Sequence, residues 1–336
     1  MIGVSKGSAK MRRPRATSAW RIAWALLAGV LLLIGCGEAP EPEPTLPRGQ
    51  PWTVAKPFAG TPPLRVVCTT GMLADLARNL GGERLQVTAL MGEGVDPHVY
   101  KVSPGDVAKL DAADLVLFNG LHLEGKLGEL FKRLARRKPA YALAESLPAE
   151  RLLGFEGAPD PHVWFDVSLW RDLADRLCEL LVAFDPAGAA EYRQRHAAYA
   201  SRLDDLHAWV QREIATIPAP RRVLVTAHDA YRYFGRAYGI EVRGIQGIST
   251  ESEAGLKEIN QLVDFLVQRQ IKAVFVESSV STRNVQAIRE GCQARGHRIA
   301  LGGELFSDAL GPADHPEGTY EGMVRHNVRT IVEALR

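Results

Sequence analysis

Cysteine is scarce: four in 336 residues, at positions 36, 68, 178 and 292, with no Cys-x-x-Cys pair among them. Neither a disulfide framework nor a thiolate metal site is on offer. A surplus of charge is missing too. The 41 Lys and Arg nearly balance 39 Asp and Glu, for a net of +2, which gives no support to a global nucleic-acid-binding surface. The apolar run Ile22 to Ile34 stops at thirteen residues, short of the ~20 that span a bilayer as a helix. No His-Glu-x-x-His helix occurs, so the usual metalloprotease arrangement is absent. What remains, 46% hydrophobic and 24% charged, is ordinary globular composition on a chain long enough for two domains.

Residues 1–35 contain Lys6, Lys10, Arg12, Arg13, Arg15 and Arg21 and no acid. A basic stretch followed by a short apolar run reads as an export signal. Without it, 35 basic side chains face 39 acidic ones. The run ends in Leu33-Ile34-Gly35-Cys36, which resembles a bacterial lipobox, implying cleavage before Cys36 and lipidation of that residue; an ordinary cleaved signal with an incidental cysteine is the alternative. Lipid chains anchor by apolar burial, about 0.8 kcal/mol per methylene, without a transmembrane helix. Eight prolines between Ala39 and Pro63 make an extended, solvated tether. We therefore expect a lipoprotein signal peptide over 1–35, a tether over 36–63 and a globular body from Leu64. Cys68, Cys178 and Cys292 are expected to be buried thiols, with Cys68 inside an apolar strand; a single disulfide among them stays open.

From Leu64 short β-rich runs alternate with helical ones, which argues for parallel sheets flanked by helices. Strands are expected at Leu64–Thr69, Leu85–Leu90 and Asp114–Phe118, then at Val223–Thr226, Ile240–Ile245, Ala273–Val276 and Arg298–Leu301. Helices are expected around Ser252–Gln268, Thr282–Ala294 and Glu317–Leu335. Between the halves, Tyr192, Tyr199, Leu203, Leu206, Val210, Ile214 and Ile217 keep to one helical face. A helix from Ala187 to Ile217 would be about 45 Å long; two shorter helices with a bend are the alternative. The expected layout is an N-terminal α/β lobe (64–185), a linking helix (186–218) and a C-terminal α/β lobe (219–336).

Two histidines stand out of nine. Asp96-Pro97-His98-Val99-Tyr100 and Asp160-Pro161-His162-Val163-Trp164 are near-identical pentapeptides. Proline keeps each in a loop, and an aromatic ring two residues on would exclude water from a preorganised imidazole, which suits a metal ligand. His228 follows the apolar run Val223–Ala227, at the carboxyl edge of a sheet where α/β proteins bind ligands. A fourth donor, Glu304 or Asp308, would come from the loop Gly302–Gly311. Glu277, at a strand end, is a candidate to hold an imidazole tautomer, or to make a salt bridge at the sheet edge.

Together with Asn119-Gly120-Leu121-His122-Leu123-Glu124 and Phe275-Val276-Glu277-Ser278-Ser279, these motifs resemble, in the same order, the metal-binding solute receptors of zinc and manganese ABC importers, the cluster A-I or ZnuA/TroA-like family. The resemblance runs from Leu64 to the end of the chain. It implies two α/β lobes bridged by one long helix, with a metal in the cleft held by His98 and His162 from the first lobe and His228 and Asp308 from the second. Many manganese receptors have Glu at the third position, and many zinc-only members carry a His-rich insert. This chain has His228 there, and no His from Lys126 to Pro159, which is similar to the TroA-like branch.

Three imidazoles and a carboxylate suit Zn²⁺ first. Mn²⁺ comes second, tolerable if Asp308 binds through both oxygens. Four protein ligands close the shell, whereas a catalytic zinc keeps a position for water. The expectation is a non-enzymatic, monomeric receptor outside the cytoplasmic membrane that passes metal to an ABC permease and, through it, is served by an ATPase. A secreted zinc hydrolase is the rival; an adhesin or metallochaperone on the same scaffold is another.

Overall fold

The computed structural model describes residue 3, residues 52–155 and residues 157–336. The export signal, Cys36 and most of the Pro-rich tether lie outside the described residues.

The first lobe is built on strands β1 (Leu64–Cys68), β2 (Leu85–Ala89), β3 (Leu115–Phe118) and β4 (Ala140–Ala142), all parallel in the order β2-β1-β3-β4. β1 and β3 are buried at nearly every position, as strands covered on both faces must be. Helices α1 (Gly71–Gly81), α2 (Pro104–Ala112) and α3 (Gly128–Ala135) connect them. Each start of α1 and α2 is written locally: the Thr70 hydroxyl accepts from Leu73 N–H, and Ser103 and Asp106 form a capping box ahead of Pro104. A two-residue hairpin, β5 (Gly154–Phe155) and β6 (Ala158–Pro159), closes the lobe.

The second lobe has strands β7 (Val223–His228), β8 (Glu241–Gln246), β9 (Ala273–Glu277) and β10 (Ala300–Leu305). They form two parallel pairs, β7 with β8 and β9 with β10, and β7 runs beside β9. Helices α6 (Arg232–Tyr238), α7 (Leu256–Arg269), α8 (Arg283–Ala294) and α9 (Tyr320–Leu335) flank them.

Two helices separate the lobes. α4 (Val167–Phe184) starts at Asp166, whose carboxylate accepts the Ser168 and Leu169 N–H groups. It buries Val167, Leu169, Trp170, Leu173, Leu177, Leu180, Leu181 and Phe184, and Arg171, Asp172, Asp175, Arg176 and Glu179 line the opposite face. α5 (Ala189–Ala215) is a single helix of 27 residues, about 40 Å long. Its buried face is Tyr192, Tyr199, Leu203, Leu206, Val210 and Ile214. The expected fold class, two α/β lobes with parallel sheets and one long helix, is the observed one.

One apolar core runs without a break from β1 and α1 through α4 and α5 to α6, β9 and α9. Trp170 of α4 stacks on Tyr320 of α9, ring centroids 4.9 Å apart. Satellite cores cover the outer faces of the two lobes. A close-packed core shared by both lobes resists wide hinge motion.

Two findings differ from the sequence expectation. The packed body begins upstream of Leu64: Trp52 is buried, donates its Nε1–H to Arg176 O at 2.6 Å and packs edge-on against Tyr141, and Phe58 N–H donates to Phe184 O. Aromatic burial outweighs the proline-rich local bias there. β10 runs four residues further than the pattern suggests, through Gly302 and Gly303 with a register shift between Leu301 and Glu304, as glycines at a bulge permit. Cys68, Cys178 and Cys292 are free and buried, Cys68 at the end of β1. Among the described residues no helix is long and apolar enough to cross a membrane.

Candidate metal centre

Strand ends deliver most of the chemistry. β2 leads into the loop that carries His98; His228 is the last residue of β7 and Glu277 the last of β9. Asp308 lies three residues past β10. His162 comes from the loop after β6, just ahead of a 3₁₀ turn over Val163–Phe165. The four side chains meet between the lobes, two from each, with one donor atom of every residue within 4.8 Å of all the others. All four are buried, His98 the least so at 3% exposed.

The separations are those of a coordination shell. Bonds of about 2.0–2.1 Å in a tetrahedron put neighbouring donors about 3.3 Å apart. His98 Nε2 and His162 Nε2 are 3.3 Å apart, and His228 Nε2 is 3.2 Å from Asp308 Oδ2. His98 Nε2 lies 3.7 Å from Oδ2, and His162 Nε2 3.6 Å from Oδ1. Both carboxylate oxygens thus face the imidazoles. His228 Nε2 and both oxygens of Asp308 are buried with no well-formed hydrogen bond, only ion-pair contacts such as that between His228 and Asp308, and a cation at their centre would satisfy them.

Two of the three imidazoles are aimed from behind. His228 donates Nδ1–H to Glu277 Oε2 at 2.5 Å and its backbone N–H to Oε1 at 2.9 Å. His162 does the same with one oxygen of Asp160: Nδ1–H at 2.8 Å and backbone N–H at 3.1 Å. Such partners keep a proton on Nδ1, so that Nε2 is the nitrogen that meets the metal. His98 has only its backbone N–H tied down, 2.8 Å from Asp96 Oδ1.

Electrostatics divide the imidazoles. Burial pushes the His98 ring down to about 3, so it stands neutral. Burial also opposes charge on His228, but Glu277 and Asp308 outweigh it and hold that ring protonated well above the usual histidine range. Asp308 is pulled the other way: burial raises it, and the three imidazoles, His228 foremost, bring it below the ordinary carboxylate range.

The paired pentapeptides are less alike in space than in sequence. Trp164 covers the His162 ring edge-on at 5.2 Å. Tyr100 instead donates its hydroxyl to Asp106 of the α2 capping box at 2.8 Å, so its ring serves the helix start. Of the two acids in the last loop, Asp308 joins the cluster, while Glu304 is exposed and offers only its backbone oxygen to His326.

The family described as zinc-uptake complex component A, periplasmic, matches residues 66–334. This chain belongs to it. The zinc-binding protein TroA of Treponema pallidum is 50% identical over 275 residues, covering 80% of this chain and 88% of its own. The manganese-binding lipoprotein MntA of Bacillus subtilis is 48% identical over 275 residues, covering 81% and 90%. The solved periplasmic zinc-binding TroA of T. pallidum superimposes with a TM-score of 0.80 at 49% identity, over 82% of this chain and 99% of that one. The resemblance read from the paired loops is borne out across the body.

Sequence reasoning about this ZnuA-family member offered Glu277, which holds His228, and passed over the other supports. Asp160 was legible only as part of a turn. Asn327 brackets Phe306, accepting its N–H at 2.9 Å and donating to its oxygen at 2.7 Å, while Trp164 Nε1–H donates to Ser307 O from the other lobe at 2.9 Å; together they set Asp308. Glu124 accepts from the Thr69 hydroxyl and from Asn119 and Gly120 N–H. It locks a turn in which Leu121 and His122 have φ of 52° and 66°, and Asn119 from that turn donates to Pro161 O. No local pattern announces partners that distant.

Proposed function

We propose that the chain is an extracytoplasmic receptor that binds one divalent transition metal through His98, His162, His228 and Asp308 and delivers it to an ABC permease. The observation that carries this is the convergence of the four donors, with three buried atoms at its centre that make no hydrogen bond. Membership of a family of uptake-complex components supports the transport role.

Zn²⁺ ranks first, because three imidazole nitrogens and a carboxylate are its usual donors. Mn²⁺ ranks second: both oxygens of Asp308 turn inward, so a fifth ligand is at hand for an ion that prefers oxygen. Relatives at nearly equal identity are named for one ion and for the other, which supports a site that accepts either. Four protein donors leave no ligand position reserved for a reactive water, so the receptor reading is favoured over a zinc hydrolase.

In this reading Cys36 carries the lipid, and the body works as a monomer on the outer side of the cytoplasmic membrane. Elemental analysis of metal-stripped and reloaded protein tests the core of it. One Zn²⁺ or Mn²⁺ per chain is expected, lost in His98→Ala, His162→Ala and His228→Ala. Wild-type stoichiometry in all three variants would refute the assignment.

A further inference from the structure

We propose that Asp96 and Thr250 form a latch across the mouth of the cleft that sets how fast the captured ion leaves. The inference rests on the receptor reading above and names the residues that govern release from that site.

The two pentapeptides supply an internal comparison. The loop of His162 is bound to the second lobe by hydrogen bonds deep in the core: Tyr233 hydroxyl to Asp160 O at 2.9 Å, Trp164 Nε1–H to Ser307 O at 2.9 Å and Tyr320 hydroxyl to Trp164 O at 2.7 Å. Asp160 turns one oxygen wholly to His162. Asp96 divides its carboxylate otherwise. Its Oδ1 takes the His98 N–H, and its Oδ2 accepts the hydroxyl of Thr250, from the second lobe, at 2.5 Å. Among the described residues this is the one hydrogen bond that joins residues 92–103 to the second lobe.

Thr250 sits at the tip of the segment between β8 and α7, residues 247–255, which makes no ladder bonds of its own. That segment is pinned at its base: Asp229 N–H donates to Gly247 O, Gln246 Nε2–H to Ser252 O at 3.1 Å and Asn284 Nδ2–H to Glu253 at 3.0 Å. The hydroxyl is therefore presented from a braced loop. Asp96 and Thr250 are half-buried, whereas the Asp160, Trp164 and Tyr320 contacts are buried, which puts the latch on the solvent side of the ion.

Freeing His162 from the second lobe requires breaking several buried bonds; freeing His98 requires one, at the surface. Because one carboxylate holds both Thr250 and the His98 backbone, losing the cross-cleft bond also loosens the ligand. Hydrogen bonds to a charged acceptor are the strong ones, and losing this one should speed release on the order of tenfold.

The test is zinc dissociation from the mature chain in excess chromophoric chelator, followed by stopped flow, with association measured alongside. Thr250→Val should raise the dissociation rate on the order of tenfold, leave association within about twofold and lower the metal-free melting temperature by no more than about 2–4 °C. Thr250→Ser should return the rate close to wild type; Thr250→Ala is the second variant should Val not fold. Wild-type dissociation rates in Thr250→Val or Thr250→Ala overturn the latch. A wild-type chain that takes up neither zinc nor manganese overturns the receptor reading, and the latch with it.

Discussion

Glu277 grips His228 at two points, taking the ring Nδ1–H on one carboxylate oxygen and the backbone N–H on the other. Both groups are buried, and the grip points Nε2 at Asp308, 3.2 Å away. An imidazole so held has lost its rotamer and tautomer freedom before any ion arrives.

Replacing Glu277 by Gln keeps the size and one acceptor but removes the charge behind the ring. Zinc affinity should fall 10- to 100-fold, the usual cost of losing such a support. Competition with a chelator of known affinity measures it, and an unchanged constant would show that Glu277 is only a salt bridge at the sheet edge.

Metal uptake should release a proton. His228 is held charged in the metal-free chain by Glu277 and Asp308, whereas burial already keeps His98 neutral. The raised group must lose its proton to bind, so affinity falls as pH drops, by about tenfold per unit once one proton is displaced. Calorimetry in buffers of different ionisation heats should find about one proton released per Zn²⁺ at pH 7. Uptake without proton release would contradict the charged His228.

Asp75 on α1 is a stability test away from the metal. Burial raises its carboxyl to about 6, offset in part by Tyr320 N–H at 3.2 Å. The folded chain therefore holds this proton more tightly than the unfolded one, and stability falls as pH rises from about 4 through about 6. Asp75→Asn should be more stable than wild type at pH 7.5, by about 1–2 kcal/mol, with no gain at pH 4. Thermal melts at the two pH values check this, and an equal shift at both would count against it.

Glu124→Ala should destabilise the chain by about 2–4 kcal/mol, since three buried donors lose their acceptor and two left-handed residues lose their lock. The Asn119 to Pro161 bond links that turn to the His162 loop, so zinc should also bind more weakly. Denaturant titration and metal competition read the two effects, and Glu124→Gln should recover part of each.

Periodicity made α5 readable, because Tyr192 to Ile214 repeat at a helical spacing that needs no knowledge of the neighbours. α4 carries the same kind of period, with Arg171, Asp172, Asp175, Arg176 and Glu179 opposite buried Leu169, Trp170, Leu173, Leu177 and Leu180, although no helix was expected there. The proline-bounded histidine loops were visible as matched pentapeptides, yet Asp96 and Asp160, identical there, do different work: one reaches Thr250 across the cleft, the other the ring of His162. Tyr100 and Trp164 diverge likewise.

Residue order by itself determined the α/β habit, the long helix and the loops that carry His98, His162 and His228, because proline geometry and apolar period act over a few neighbouring positions. Only the tertiary structure decided that Trp52 belongs to the body, that Glu277 stands behind the ring of His228, and that Asp96 reaches Thr250. Those outcomes depend on side chains many tens of residues apart becoming neighbours within 3 or 4 Å, a relation that exists only once the lobes have packed on their shared core.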